Sequence, residues 1–195
     1  MGDKRLNELL RWGIENTDTS KIDPSTPPPA PPTSNLTPEI MAALMEVDLE
    51  NKLIAFDNFE QLIENLDNAN NIANLGLWTP LLGQLKNEER ELRKMAAWCV
   101  GTAVQNNERT QERLLAMGGL PPLVELALNE EEKEDVRRKA IYALSSAVRN
   151  YQPSMDLFAE ELTKKGYATA TVDAADMAQV DVIITALREK AKATA

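Results

Sequence analysis

The sequence predicts an all-α fold made of repeated helical units. A three-part pattern occurs twice: a glycine turn, a Pro-Leu-aliphatic run and a long amphipathic helix rich in alanine. Pro80 and Pro122 in the aliphatic runs lie 42 positions apart, and Ala96 and Ala140 in the long helices lie 44 apart. Only 5% of the residues are aromatic, and a composition dominated by Ala, Leu, Glu and Asn suits helices that pack through small side chains.

A third copy of the long helix precedes these two. When Ala55 is aligned with Ala96 and Ala140, the spacings are 41 and 44 residues, within the interval of about 40–47 that is typical of armadillo or HEAT repeats. We therefore predict a right-handed armadillo-type α-solenoid of three to four three-helix repeats with terminal capping helices. The expected repeats span about 49–85, 90–128 and 133–165, and the C-terminal cap spans 173–193.

Within each repeat, the sequence marks where helices begin and end. Asp48 or a neighbour is expected to start the first long helix, which should run through Leu66. Short helices are expected over Asn71 to Leu75 and Glu108 to Met117, each followed by a glycine turn and a second short helix that begins near proline. An armadillo-like domain is thus predicted over residues 37–195.

The residues before this domain form two different segments. Residues 21–36 form a Pro-rich linker, which is too rich in proline for helix or sheet and which could alternatively be a ligand for Pro-binding domains. Residues 1–20 form an amphipathic segment, and a short helix is predicted over about 38–47, opened by Thr37 and Pro38. One stripe of the N-terminal segment is formed by Leu6, Leu9, Leu10, Gly13 and Ile14, with Trp12 beside it.

Composition argues against several functional classes. The chain has 31 acidic and 21 basic residues and a formal net charge of −10, which disfavours nucleic acid and anionic membranes as partners. It contains no histidine and a single cysteine, and it has no glycine-rich phosphate motif or Gly-x-Ser-x-Gly. We therefore expect that the protein is not an enzyme and that it binds neither a metal nor a cofactor. Because a single cysteine allows no internal disulfide, and no signal peptide or span of about 18 apolar residues is evident, we expect a cytoplasmic protein. Cys99 is expected to be a packed core thiol.

The exposed faces of the long helices are the candidate binding surface, because the array buries their opposite faces. The predicted buried positions are Phe56, Phe59, Leu62 and Ile63; Ala97, Val100, Ala103 and Val104; Ile141, Leu144, Ala147 and Val148. By elimination, the predicted groove is lined by Asp57, Gln61, Glu64, Trp98, Thr102, Gln105, Tyr142, Ser146 and Arg149, with Asn65, Asn106 and Asn150 at one edge. Trp98 could equally be a core residue.

The segments Gly118–Val124 and Val136–Leu144 resemble the armadillo family. Nuclear import receptors of that family carry Trp and Asn one turn apart on successive helices. Here the paired positions are Asp57/Gln61, Trp98/Thr102 and Tyr142/Ser146. This difference argues against recognition of basic import signals, although another armadillo adaptor or scaffold stays open.

Four further segments, residues 9–16, 49–71, 101–107 and 138–146, resemble the fungal cytosolic nucleotide exchange factors of the 70-kDa heat-shock chaperone. The resemblance implies a monomeric armadillo body that embraces one lobe of the chaperone's ATPase domain and promotes ADP release. It also implies an N-terminal segment that competes for the chaperone's peptide groove, through Leu9, Leu10, Trp12 and Ile14. The alternative for this segment is a helix that caps the array.

The resemblance, taken with the groove, extends the candidate contact residues. The expected contacts are Asp57, Asn58, Gln61, Glu64, Asn65, Asp67, Asn68 and Asn71, together with Trp98, Thr102, Gln105, Tyr142 and Arg149. An alternative explanation exists for Asn65, Asp67 and Asn68, because Asn and Asp also favour helix ends.

Overall fold

The computed structural model describes residues 48–167 and 171–193, and every regular element in these ranges is helical. The predicted N-terminal segment, the Pro-rich linker and the helix at 38–47 lie outside the described residues. A short 3₁₀ helix spans Gln84–Lys86. The α-helices are α1 (Leu49–Ile63), α2 (Leu66–Asn71), α3 (Trp78–Gly83), α4 (Arg90–Val104), α5 (Glu108–Ala116), α6 (Leu120–Leu128), α7 (Glu134–Val148), α8 (Gln152–Lys164) and α9 (Met177–Ala193).

The long helices α1, α4 and α7 each contain 15 residues and begin at equivalent positions of the sequence repeat. Helix α4 packs between α1 and α7, and α6 packs on α7. The alanines used for the alignment, Ala55, Ala96 and Ala140, are all buried, so the helices approach closely where these small side chains lie. The all-α prediction is confirmed for the described residues.

The turns of successive repeats share unusual backbone conformations. Gly76 and Gly118 both have a φ of +67°, which glycine adopts without the steric cost of a Cβ atom. Asn106 and Asn150, which follow α4 and α7, have φ values of 52° and 57°. Asparagine tolerates this left-handed region better than most residues, which explains why these two long helices are followed by Asn.

The first repeat differs from the prediction at its second helix. Helix α1 ends at Ile63, and the short helix lies at Leu66–Asn71 instead of Asn71–Leu75. The reason is Asn65, whose side chain accepts hydrogen bonds from the backbone N–H groups of Asp67 and Asn68 and so starts α2. Leu66 therefore begins the second helix and is exposed.

The predicted core positions of the long helices are buried, except for Leu62, which is half-buried. Cys99 is fully buried and its thiol contacts the carbonyl of Phe56 at 3.7 Å. Burial raises the pKa of the Cys99 thiol well above its ordinary value, so the thiol stays neutral. The prediction of a packed core thiol is confirmed.

Buried polar side chains connect the repeats where helices end. The Gln111 side chain donates to the backbone carbonyls of Ser146 at 2.9 Å and Arg149 at 3.0 Å. These carbonyls lie at the C-terminal end of α7, where a helix leaves acceptors unsatisfied. Helix α5 of one repeat thereby caps α7 of the next.

Helix α9 packs on α7 and α6 and buries Val180, Ile184, Leu187 and Ala191. The backbone N–H of Asn150 donates to the carbonyl of Ala174 at 2.9 Å, just before α9. The apolar side of the last long helix is thus covered, as an end repeat requires. Among the described helices, none has both the length and the apolar character needed to cross a membrane.

Candidate partner-binding surface

The outer faces of α1, α4 and α7 form a continuous surface, which we call the long-helix surface. At its centre is an open depression of about 510 Å³. This depression is lined by Glu60, Glu64, Trp98, Thr102, Gln105, Asn106 and Tyr142. All three long helices therefore contribute to it.

Two side-chain hydrogen bonds cross this depression between repeats. The Thr102 hydroxyl donates to Glu60 Oε1 at 2.6 Å, and it lies 3.5 Å from the Tyr142 hydroxyl. The Tyr142 hydroxyl in turn donates to Gln105 Oε1 at 3.1 Å. Glu60 is only 5% exposed, and a buried carboxylate requires such a donor. One bond links the first repeat to the second and the other links the second to the third, so side chains of all three repeats are fixed relative to one another.

The ring of Tyr142 lies against the backbone of α4 at Gly101. A Cβ atom at Gly101 would be 2.5 Å from two ring carbons of Tyr142 and 3.1 Å from the Cα of Ala143. The lack of a side chain at Gly101 therefore allows α4 and α7 to approach and allows the Tyr142 ring to lie flat.

Trp98 is half-buried and lies under the ammonium group of Lys139. The Lys139 Nζ atom is 3.3 Å from the centroid of the Trp98 ring, which is cation–π geometry. Burial lowers the pKa of Lys139 from its ordinary value, and the charge of Glu60 opposes this shift. Both residues extend into a second depression of about 580 Å³, which Asp135, Arg138, Tyr142 and Arg188 also line.

Charge is separated along the long-helix surface. Its α1 side carries the exposed Asp57 and Glu64 together with the buried Glu60, and its α7 side carries Arg138 and Lys139 next to Arg188 of α9, where basic residues outnumber the one acidic lining residue, Asp135. The aromatic pair Trp98 and Tyr142 lies between the two sides. Such a surface complements a partner whose own charges have the opposite order.

Most of the predicted groove residues lie on this surface. Glu64, Trp98, Thr102, Gln105 and Tyr142 line the central depression. Asp57, Asn58 and Gln61 are exposed on α1, where Gln61 donates to Asp57 at 2.9 Å. The interpretation of Trp98 as a purely core residue is not supported.

Other predicted residues have structural roles. Asn68 is 3% exposed and donates to the Leu62 carbonyl at 2.7 Å. Asn65 is the N-cap of α2, Asp67 is exposed in the first turn of that helix, and Asn71 accepts from Asn74 at its end.

Two predicted groove positions, one near the end of α7 and one just after it, do not face the central depression. The prediction that Ser146 lines the groove is wrong, because the residue is 8% exposed and packs beneath the surface. The Arg149 guanidinium is directed toward α9, where it bonds to Asp181 and lies 3.2 Å from the sulfur of Met177. Arg149 therefore couples the last long helix to the cap.

Two residues of the surface were missed by the sequence interpretation. Glu60 lies between the predicted buried and exposed positions of α1, so its placement depends on the Thr102 partner in the next repeat. Lys139 precedes the buried Ala140, and its long side chain reaches back over Trp98. In the sequence, each of the two residues is marked only as a charged residue next to a core position, Phe59 for Glu60 and Ala140 for Lys139. In the described ranges, no group of three or more potential metal ligands occurs.

Comparison with known proteins agrees with this architecture. A family model described as the nucleotide exchange factor Fes1 matches residues 6–48 and 45–72, and the SIL1/FES1/HPBP1 C-terminal domain matches residues 68–162. An Hsp70 nucleotide exchange factor from Gibberella zeae is 64% identical, over 97% of this chain and 98% of its own length. The chain belongs to the Fes1 family. Two further relatives are also similar. The relative from Neurospora crassa is 48% identical over 97% of this chain and 99% of its own length. The relative from Coccidioides immitis is 47% identical over 96% of this chain and 98% of its own length.

Solved structures support the repeat class of this Fes1-family chain. A designed armadillo repeat protein in complex with the peptide (KR)4 superposes with a TM-score of 0.59 and 17% identity, over 80% of this chain and 70% of that one. A second designed armadillo protein gives a TM-score of 0.60 and 18% identity with the same coverage. These similarities concern the fold alone, and the predicted armadillo-type solenoid is confirmed.

Proposed function

We propose that this protein is a co-chaperone that binds the ATPase domain of a cytosolic Hsp70 and accelerates the release of ADP. The observation that carries the proposal is the 64% identity, over 97% of the chain, with a relative named as an Hsp70 nucleotide exchange factor. The protein would act as a binding partner in the cytoplasm, as a monomer, and would not itself catalyse a reaction.

The proposed mechanism is a shift in the population of chaperone conformations. A factor that binds the nucleotide-releasing conformation more tightly than the closed one moves the equilibrium by its affinity ratio, and by no more than that ratio. A rigid armadillo body suits this role, because a preformed surface spends little binding free energy on its own ordering. The hydrogen bonds from Thr102 to Glu60 and from Tyr142 to Gln105 contribute to that rigidity.

The long-helix surface is our proposed contact with the ATPase domain. Aromatic and arginine side chains dominate the energetics of protein interfaces, and this surface presents Trp98 and Tyr142 between its acidic and basic sides. The proposed contact residues are Asp57, Asn58, Gln61, Glu64, Trp98, Thr102, Gln105 and Tyr142, with Lys139 added. The separated charges would steer the partner and set its orientation.

The decisive experiment is a stopped-flow measurement of labelled ADP leaving the ATPase domain of Hsp70. We expect saturating protein to raise the release rate, and an unchanged rate would overturn the proposal. To test the surface, Glu64→Lys should weaken the affinity by about tenfold, a change of about 1.4 kcal/mol. The matched control is Glu125→Lys on α6, another exposed glutamate that lies off the long-helix surface. Equal losses for both variants would contradict the proposed contact surface.

We propose a separate role for the N-terminal segment, residues 1–20, tethered by the linker at 21–36 to the armadillo-like domain at 37–195. Leu9, Leu10, Trp12 and Ile14 would compete for the chaperone's peptide groove and so promote client release. Deletion of residues 1–34 should leave ADP release unchanged and slow client discharge. If both activities fell together, this division of roles would be refuted.

A further inference from the structure

We propose that a cavity formed by the short helices binds a carboxylate side chain of an acidic peptide. The cavity measures about 280 Å³ and lies among α2, α3 and α5. Asn70, Trp78, Arg109, Thr110, Glu112 and Arg113 contribute to its lining. None of these residues belongs to α1, α4 or α7, so the site is separate from the long-helix surface.

The first observation is an unsatisfied donor. Trp78 is 1% exposed, and its indole N–H has no acceptor within the part of the chain that the structure describes. Buried indole groups normally have a hydrogen-bond partner. Trp78 lines this cavity, and we infer that its indole N–H is the donor that an acceptor in the cavity meets.

The second observation is a pair of available cations. Arg109 and Arg113 lie one turn apart on α5, are both exposed, and make no salt bridge within residues 48–167 and 171–193. A guanidinium group matches the geometry of a carboxylate and binds it with two parallel hydrogen bonds. Together with the indole N–H, the two side chains provide donors for both oxygens of one carboxylate.

Size and charge select the kind of ligand. The volume of about 280 Å³ accommodates an amino-acid side chain and lies at the lower end of small-molecule pockets, which measure about 300–1,000 Å³. Glu108 and Glu112 lie on the same helix as the two arginines and would repel an extended polyanion such as a nucleic acid. A short acidic peptide carries far fewer charges than a nucleic acid and meets less of that repulsion, including that of Glu112 in the cavity lining. The Thr110 hydroxyl already donates to the carbonyls of Ala103 and Asn107, so the indole and the arginines carry recognition.

The test is a titration of the full-length protein followed by the NMR signal of the Trp78 indole N–H, assigned with Trp78→Phe. The probes are a tetraglutamate peptide, a tetraglutamine peptide as the neutral control, and inorganic phosphate alone. We expect a saturable downfield shift with tetraglutamate that weakens as salt is added, and no shift with tetraglutamine.

The variant Arg109→Gln/Arg113→Gln should weaken tetraglutamate binding at least tenfold, because it removes both cations. Since both side chains are exposed, its circular dichroism spectrum should be unchanged. Lys165→Gln, which alters an exposed cation just after α8 and outside the cavity, should bind as the parent does. The proposal is overturned by no shift with tetraglutamate, by an equal shift with tetraglutamine or in the double variant, or by tighter binding of phosphate than of the peptide.

Discussion

The hydroxyl of Thr102 connects two repeats, because it satisfies the buried carboxylate of Glu60 at 2.6 Å. Thr102→Val keeps the shape of the side chain and removes this donor. We expect a loss of about 2 kcal/mol in the free energy of unfolding, since the buried side-chain acceptor of Glu60 would lose its hydrogen-bond donor. Urea-induced unfolding followed by circular dichroism measures the change.

A double-mutant cycle with Glu60→Leu isolates the interaction. Once the carboxylate is absent, Thr102→Val should cost much less, which gives a coupling free energy of about 1–2 kcal/mol. Effects that add to within about 0.5 kcal/mol would show that the hydrogen bond contributes little.

Gly101 offers a second test at the residue scale. Alanine favours a helix over glycine by about 1 kcal/mol, but at position 101 its Cβ atom would meet the Tyr142 ring and the Cα of Ala143. Overpacking of this kind costs about 1–3 kcal/mol. We therefore expect Gly101→Ala to lower stability by about 1 kcal/mol and to displace the Tyr142 ring.

The matched control for that substitution is Gly83→Ala at the end of α3, where a Cβ atom would meet nothing within 4 Å. It should be neutral or slightly stabilising in the same urea measurement. A Gly101→Ala variant as stable as Gly83→Ala would contradict the proposed close approach.

Single residues differ in how far the sequence predicts them. Trp98 and Tyr142 could be placed on the surface, because they occupy the same position of the repeat and the opposite face is apolar. Glu60 and Lys139 could not, because each depends on one partner in a neighbouring helix, Thr102 or Trp98. The periodicity of apolar residues shows which face of a helix is buried. It does not show which side chains of two neighbouring helices lie close enough to pair.

At the scale of elements, α4 and α7 end two residues before Asn106 and Asn150, the asparagines that stand at the same position of successive repeats. The second helix of the first repeat was misplaced, since asparagine serves both as a helix end and as an N-cap. Asn65 acts as the N-cap of α2, while Asn106 and Asn150 adopt left-handed backbone after their helices. All three residues are asparagine, and the conformation of the flanking backbone decides whether the residue begins a helix or follows one.

Helix α9 gives a prediction for an element as a unit. Ile184 is fully buried against the array, and Val182 on the opposite face of the same helix is 70% exposed. Ile184→Ala should lower stability by about 2–4 kcal/mol, because it leaves a cavity under the cap. Val182→Ala should change it by no more than about 0.5 kcal/mol. Hydrogen exchange of the α9 amides distinguishes the two, and equal protection in both variants would contradict the role of α9 as a packed cap.

At the scale of the whole molecule, a solenoid has no single central core, because each repeat contacts only its neighbours. The three long helices are of equal length, but α1 buries five residues while α4 and α7 each bury ten. Helix α4 has a long helix on each side, and α9 covers α7. Stability should therefore be lower in the first repeat than in the other two.

Native-state hydrogen exchange at low urea concentrations tests this gradient at three equivalent positions. Phe59, Val100 and Leu144 occupy the same place in successive repeats, and each is fully buried, so their local environments are matched. We expect the opening free energy of the Phe59 amide to be at least about 1 kcal/mol lower than that of Val100 or Leu144. Exchange of the Val100 and Leu144 amides should require global unfolding. Equal opening free energies at the three positions would mean that the described repeats unfold as one cooperative unit.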